Sequence, residues 1–199
     1  MTPLNVELHP LQPFLPANTK VLFLGSFPPQ QKRWCMPFFY PNFINDHWRI
    51  TGEVFFKDKD YFVDSEHKTF RLEEIKVFLQ EKGIGYYDTA CAVRRLNANA
   101  SDKFLEIVTP TDIPRLVHGL QQLKLIVTTG ELATQTLCTS LAIPCVPKVN
   151  EWTAIPSLSH AGVQDVCLYR LPSSSRAYPL AFSKKVEAYR QMYAFAGLL

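Results

Sequence analysis

The sequence has no C-x-x-C pair, no apolar run of membrane-spanning length, no glycine-rich phosphate cradle and no strong excess of either charge. Each absence excludes a class. The five cysteines (Cys35, Cys91, Cys138, Cys145 and Cys167) are odd in number and scattered, so neither a disulfide framework nor a zinc site is expected. Cys138 and Cys145 read as core or loop thiols of a reducing compartment. Without a long apolar segment, no membrane association is expected. Met1 to Lys20 is Pro-rich and lacks the basic start and apolar stretch of a secretion signal, so a cytoplasmic protein is expected. A net charge of +3 permits a nucleic-acid partner and does not demand one. No internal repeat or low-complexity tract interrupts the chain.

What is present suits one α/β domain over residues 1–199. The 199 residues are 47% apolar and 20% charged, enough for a sizeable core. Four short apolar runs read as strands: 20–25, 85–93, 123–128 and 166–171. Helical spacing over 69–82 puts Leu72, Ile75, Phe78 and Leu79 on one face, and Gly83 follows as a stop. Further helices are expected from about Asn45, with Trp48 and Ile50 inward, and over 110–120, 130–140 and 180–196. Phe182, Val186, Tyr189, Met192 and Tyr193 form the stripe of the last. Residues 53–67 mix aromatics with charges and read either as a lid or as a helical insertion. Strands alternating with helices predict a three-layer α/β/α sandwich around a short, mainly parallel four-stranded sheet. Ligands of such sheets sit outside the carboxyl ends of the strands.

Those ends carry the candidate chemistry. The first strand finishes in Gly25-Ser26-Phe27-Pro28-Pro29, a rigid turn able to hold a planar ligand or an oxyanion. Phe38-Phe-Tyr-Pro-Asn-Phe-Ile-Asn-Asp-His-Trp48 then concentrates aromatics and amides. An aromatic ring offers a stacking face to a base, worth about 1–3 kcal/mol, and a carboxamide can hold a water or read a base edge. Tyr40 and Asn45 are the functional candidates there, whereas Trp48 reads as core. The second strand runs out at Asp88. The fourth ends in Leu171-Pro172-Ser173-Ser174-Ser175-Arg176, a source of hydroxyl, amide and cationic donors for a phosphate.

Taken together, these stretches resemble the uracil-DNA glycosylase superfamily, and within it the hypoxanthine-DNA glycosylase-like branch. The resemblance rests on Gly25-Ser26-Phe27-Pro28, the pair Phe39-Tyr40, Asn45 three residues before Trp48, the strand Gly83 to Arg94 with Asp88, the stretch Ala100-Ser101-Asp102, the loop Leu171-Pro172-Ser173, and the ending Lys185 to Arg190. It implies a monofunctional glycosylase of base excision repair that hydrolyses the N-glycosidic bond of a deaminated base in DNA: uracil, hypoxanthine or xanthine. It implies Asn45 as the catalytic amide, Gly25, Ser26, Phe27, Tyr40 and Asp88 as base-binding residues, and Ser173, Ser174, Ser175 and Arg176 as DNA contacts. Lys32, Arg33, Arg94 and Arg95 are further phosphate candidates. No cofactor or metal is implied, and the cysteine spacing does not support the iron–sulfur cluster of some members. Damaged DNA is the expected partner of a monomer with no obligate protein partner.

The chain departs from the family pattern at four places. Phe27 stands where many members carry a water-activating Asp or Asn, Pro29 replaces a small residue, Leu171 replaces a base-assisting His or Asn, and Ser175 falls where a large wedge is usual, leaving Arg176 or Tyr178 for that task. These departures keep open a catalytically silent nucleic-acid-binding module. An α/β enzyme of free nucleotides or nucleosides is a further alternative, disfavoured by the missing phosphate cradle.

Overall fold

The computed structural model describes residues 5–96, 104–158 and 165–199. Ala100-Ser101-Asp102 lies outside them. A three-residue strand, β1 (Val6–Leu8), comes first. The run Val-Leu-Phe-Leu-Gly forms β2 (Val21–Gly25), whose first four residues are buried, as a strand covered on both faces requires. Prolines hold the next loop open, apart from a 3-10 turn over Gln31–Arg33. Then follow α1 (His47–Phe56), a hairpin of β3 (Val63–Asp64) and β4 (Thr69–Phe70), and α2 (Leu72–Lys82). Gly83 ends α2 in the left-handed conformation, φ 69°, with its Cα packed so tightly on the Asn18 carbonyl that a Cβ has no room. The remaining elements are β5 (Ile84–Asp88), β6 (Ala90–Arg95), β7 (Leu105–Pro110), α3 (Ile113–Val117), β8 (Leu125–Thr129), α4 (Glu131–Ser140), β9 (Trp152–Ala154), β10 (Cys167–Leu171) and α5 (Phe182–Phe195).

The main sheet runs β5-β2-β8-β10-β9. Its first four strands are parallel and are the four that the sequence predicts; β9 adds an antiparallel edge. Phe23 of β2 and Tyr86 of β5 stack at 5.2 Å, and Phe23 meets His47 of α1 and Tyr193 of α5 at 5.5 and 6.0 Å. Phe55 of α1 touches Phe78 of α2 and Tyr193, so these three helices share one face. On the opposite face Thr128 hydrogen-bonds Thr134 of α4 at 2.8 Å. The result is the expected three-layer α/β/α arrangement.

Three expectations change. Residues 85–93 are two strands, not one. The chain turns at Thr89, and β6 joins a separate antiparallel sheet, β1-β6-β7. The helix expected over 110–120 shrinks to α3, because residues 105–110 pair with β6 and the helix begins only at the Asp112 cap, whose side chain accepts from Arg115 N–H at 3.1 Å. The 53–67 stretch is no lid. Its start continues α1, Lys57 ends that helix with φ 58°, and Tyr61 folds back to stack on Phe56 at 3.6 Å, sinking Phe62 into the core.

Candidate active site

The carboxyl ends of β2 and β5 lie side by side, with Gly25 paired to Asp88. This register brings the Asp88 carboxylate over the Cα of Gly25. An added Cβ at position 25 would collide with Asp88 Oδ1 and stand 4.0 Å from the Tyr40 hydroxyl. Only glycine admits that approach. Asp88 is therefore packed directly on Gly25, with the Tyr40 hydroxyl close by. Thr89 N–H donates to Gly25 O and Thr111 Oγ1 to Asp88 O, each at 2.8 Å, which fixes the strand ends.

Tyr40 has φ 50°, a strained conformation for a bulky residue. The surroundings impose it. Cys35 N–H donates to Pro41 O at 2.9 Å, and Trp48 Nε1 donates to Phe39 O at 3.1 Å, clamping the chain on both sides. The Tyr40 ring then lies flat on His47, 3.7 Å away and 8° from parallel. Its hydroxyl meets Thr129 Oγ1 at 2.6 Å.

His47 opens α1 and is wholly buried. Its Nε2 lies 2.8 Å from the Tyr86 hydroxyl and its Nδ1 3.4 Å from that of Tyr189. Burial pushes its pKa down to about 3, so the ring is neutral. The same burial pushes the Tyr86 and Tyr189 hydroxyls up. Two residues before His47, Asn45 Oδ1 accepts from the His47 N–H at 2.9 Å, an Asx turn that leads the chain into α1. Asn45 is half-buried.

Asp46, between them, is a buried carboxylate that holds the loop after β10. Arg176 Nε donates to it at 2.7 Å and Lys185 Nζ, itself buried, at 3.4 Å. Lys185 also donates to Ser175 O at 2.7 Å, and Asp46 N–H to Ser174 O at 3.2 Å. The loop is thus tied to the start of α1, beside Asn45.

Of the residues expected at the site, Gly25, Asp88 and Tyr40 are brought together. Ser26 and Phe27 continue from Gly25, but the Phe27 ring is buried among Ala90 and Val93 and cannot act as a stacking face. Ser174 is only 2% exposed, which withdraws its hydroxyl from any strand on the surface. Ser173 and Ser175 are half-buried; their hydroxyls accept from Ser175 N–H and Ala177 N–H at 3.2 Å. Arg176 is exposed along one side and bound to Asp46 along the other. Arg95 is no phosphate contact, because it is buried against Phe27 and donates to Glu7 at 2.8 Å and Pro28 O at 2.6 Å. Lys32 and Arg33 are exposed, and Arg94 pairs with Glu106 at 3.2 Å. Leu171 is fully buried.

Sequence reasoning missed His9, Asp46, His47, Thr129 and Lys185. Asp46 and His47 lie inside the aromatic–amide stretch already singled out, and Lys185 in its final helix. Nothing local marks His9, whose Nε2 reaches Asp88 Oδ2 at 2.8 Å. A cavity of about 310 Å³ between Asp46, Arg49, Lys59, Asp60, Arg176 and Phe182 borders the 172–178 loop. A second, about 270 Å³, lies along Phe27–Gln31 and Arg95. Neither is lined by Asp88, Tyr40 or Asn45. Among the described residues no three His, Cys, Asp or Glu side chains gather to hold a metal ion, and no described helix is long and apolar enough to cross a membrane.

The fold is an α/β/α sandwich that gathers Gly25, Tyr40, Asp88 and Thr129 at the carboxyl ends of its parallel strands. No protein-family model and no curated protein matches the chain. Its fold is similar to the solution NMR structure of a "putative Uracil DNA glycosylase" from Methanosarcina acetivorans, with a TM-score of 0.59 and 20% sequence identity over 94% of this chain and 99% of that one. At this identity the likeness shows the fold alone.

Proposed function

We propose that the chain is a monofunctional DNA glycosylase that hydrolyses the N-glycosidic bond of a deaminated base, with damaged DNA as its partner. The observation that carries this reading is the Asp88 carboxylate held over Gly25 and beside Tyr40 at the carboxyl ends of β2 and β5. The likeness to the Methanosarcina fold supports it.

Chemistry on a base requires its extrusion from the stack, at a cost of a few kcal/mol that is least for a mispaired base. The Tyr40–Thr129 hydrogen bond spans the carboxyl ends of the strands and opens to let the base in. Tyr40, held from behind by His47, then stacks on the base. Asp88 accepts from a ring N–H, a group that uracil, hypoxanthine and xanthine all carry. Asn45 Oδ1 has two lone pairs; one is taken by the His47 N–H, and the other orients a water at the sugar C1′. The water oxygen bonds to C1′ as the C1′–N bond breaks, its proton passes to the departing base, and an abasic site remains. Charge develops as a cationic sugar and an anionic base, and the amides of Ser26 and Phe27 are preformed donors for the latter. Ser173, Ser175 and Arg176 hold the backbone phosphates.

One observation favours a second reading, a silent DNA-binding module. Leu171 is fully buried where the resembling family places a base-assisting His or Asn, so no side chain from that position assists the leaving base. Incubation with duplexes bearing one uracil, hypoxanthine or xanthine, followed by alkaline cleavage of abasic sites, separates the two. Cleavage by the wild type and its loss in Asn45→Ala supports the enzyme. Salt-sensitive binding without cleavage of any duplex supports the module.

A further inference from the structure

His9 comes from the far end of the chain to the base-reading carboxylate. Strand β1 pairs antiparallel with β6, Leu8 opposite Ala92, and His9 N–H continues the ladder to Cys91 O at 2.8 Å. That pairing delivers the imidazole to the carboxyl end of β5. The ring packs against Tyr87 at 4.6 Å, edge-on to Phe27 at 5.2 Å and near Phe39 at 6.4 Å. Its Nδ1 is fixed beside Leu11, 3.2 Å from the N–H and 2.9 Å from the carbonyl. Its Nε2 lies 2.8 Å from Asp88 Oδ2, and the two side chains are 3% and 9% exposed.

A carboxylate only accepts hydrogen bonds, so Nε2 carries the hydrogen of this contact. Oδ2 is thereby occupied from behind. Oδ1 remains, pressed towards Gly25 at the strand ends. We infer that His9 is the positioning residue for base selection: it holds Asp88 as a one-oxygen, acceptor-only edge that admits bases with a ring N–H and rejects those with a lone pair there. Hypoxanthine and uracil present N1–H and N3–H. Adenine and cytosine, their undeaminated parents, present a bare nitrogen at the same place and meet an oxygen lone pair. Without the His9 donor, Asp88 is a buried carboxylate short of a partner, which is costly. With that donor gone, nothing fixes which carboxyl oxygen faces the base, and discrimination is lost.

This inference rests on Asp88 as the reader of the base edge, but its test does not require turnover. Duplexes carrying a central 2′-fluorinated deoxyinosine, which resists hydrolysis, or the matching deoxyadenosine opposite the same partner are titrated by fluorescence anisotropy against wild type, His9→Leu and His9→Gln. A good hydrogen-bonded base contact discriminates by about tenfold or more. The wild type is expected to prefer the deoxyinosine duplex by that factor, His9→Leu to bind both alike, and His9→Gln, which keeps an N–H donor, to restore the preference. A merely structural His9 would weaken both duplexes together in His9→Leu and leave the ratio intact, which overturns the inference. So does a wild type without preference, and if that wild type still cleaves, the glycosylase reading survives alone. Preference without cleavage leaves the inference standing while the enzyme reading falls.

Discussion

Burial against Phe23, Tyr86 and Tyr189 holds the His47 pKa at about 3, against about 6.5 in an unfolded chain. Between those values the unfolded state binds the proton that the folded state refuses. The contribution of His47 is therefore intact above about pH 6.5 and lost as pH falls towards 3, at about 1.4 kcal/mol per pH unit. Urea unfolding should show about 2 kcal/mol less stability at pH 5 than at pH 7 from this group. His47→Gln should flatten that slope while lowering stability at pH 7. At Gly25 the limit is steric. Gly25→Ala drives a methyl into Asp88 Oδ1, and overpacking of this kind costs about 1–3 kcal/mol. We expect a melting temperature a few degrees lower and a loss of base excision far beyond what that fall explains, measured as single-turnover rates on a hypoxanthine duplex.

The loop after β10 and the start of α1 behave as one unit because Asp46 joins them. Removing one partner of a buried ion pair strands the other charge, at about 3–5 kcal/mol. Asp46→Ala, which leaves Lys185 buried and unpaired, should show that loss in urea; Lys185→Met, which removes the most deeply buried charge, should cost less. Arg176→Gln should weaken DNA binding evenly across sequences and reduce the slope of log K against log salt by about one. How legible these elements were depended on burial. Strands β2, β5, β8 and β10 are continuous apolar runs because helices cover both faces, and such runs stand out in a sequence. β1 and β9 are three residues long with exposed ends and β7 has a solvent-facing side, so no run announces them, while β6 falls inside the 85–93 run and nothing sets it apart from β5. The adjacency of Gly25 and Asp88 was legible because strand ends in a parallel sheet are neighbours by construction, whereas Tyr40 stood out only through the aromatic–amide stretch that holds it. His9 was not, because its approach to Asp88 depends on strand pairing between residues far apart in sequence.

Across the molecule, stability should be graded outward from the parallel sheet. Amides of Val21 to Leu24 and Ile126 to Thr128, buried on both sides, should exchange with deuterium only on global unfolding, while those of β7, with its exposed side, exchange through smaller openings. Tyr40 divides the interests of the fold from those of the site. Its left-handed backbone costs about 1–3 kcal/mol for a tyrosine and little for glycine or asparagine. In a library of all twenty residues at this position, sorting for folded protein alone should admit Gly and Asn, whose relaxed backbone offsets part of the ring packing lost on His47, whereas sorting for base removal should return aromatics alone. The two sortings would return different sets, one able to fold and the other able to work.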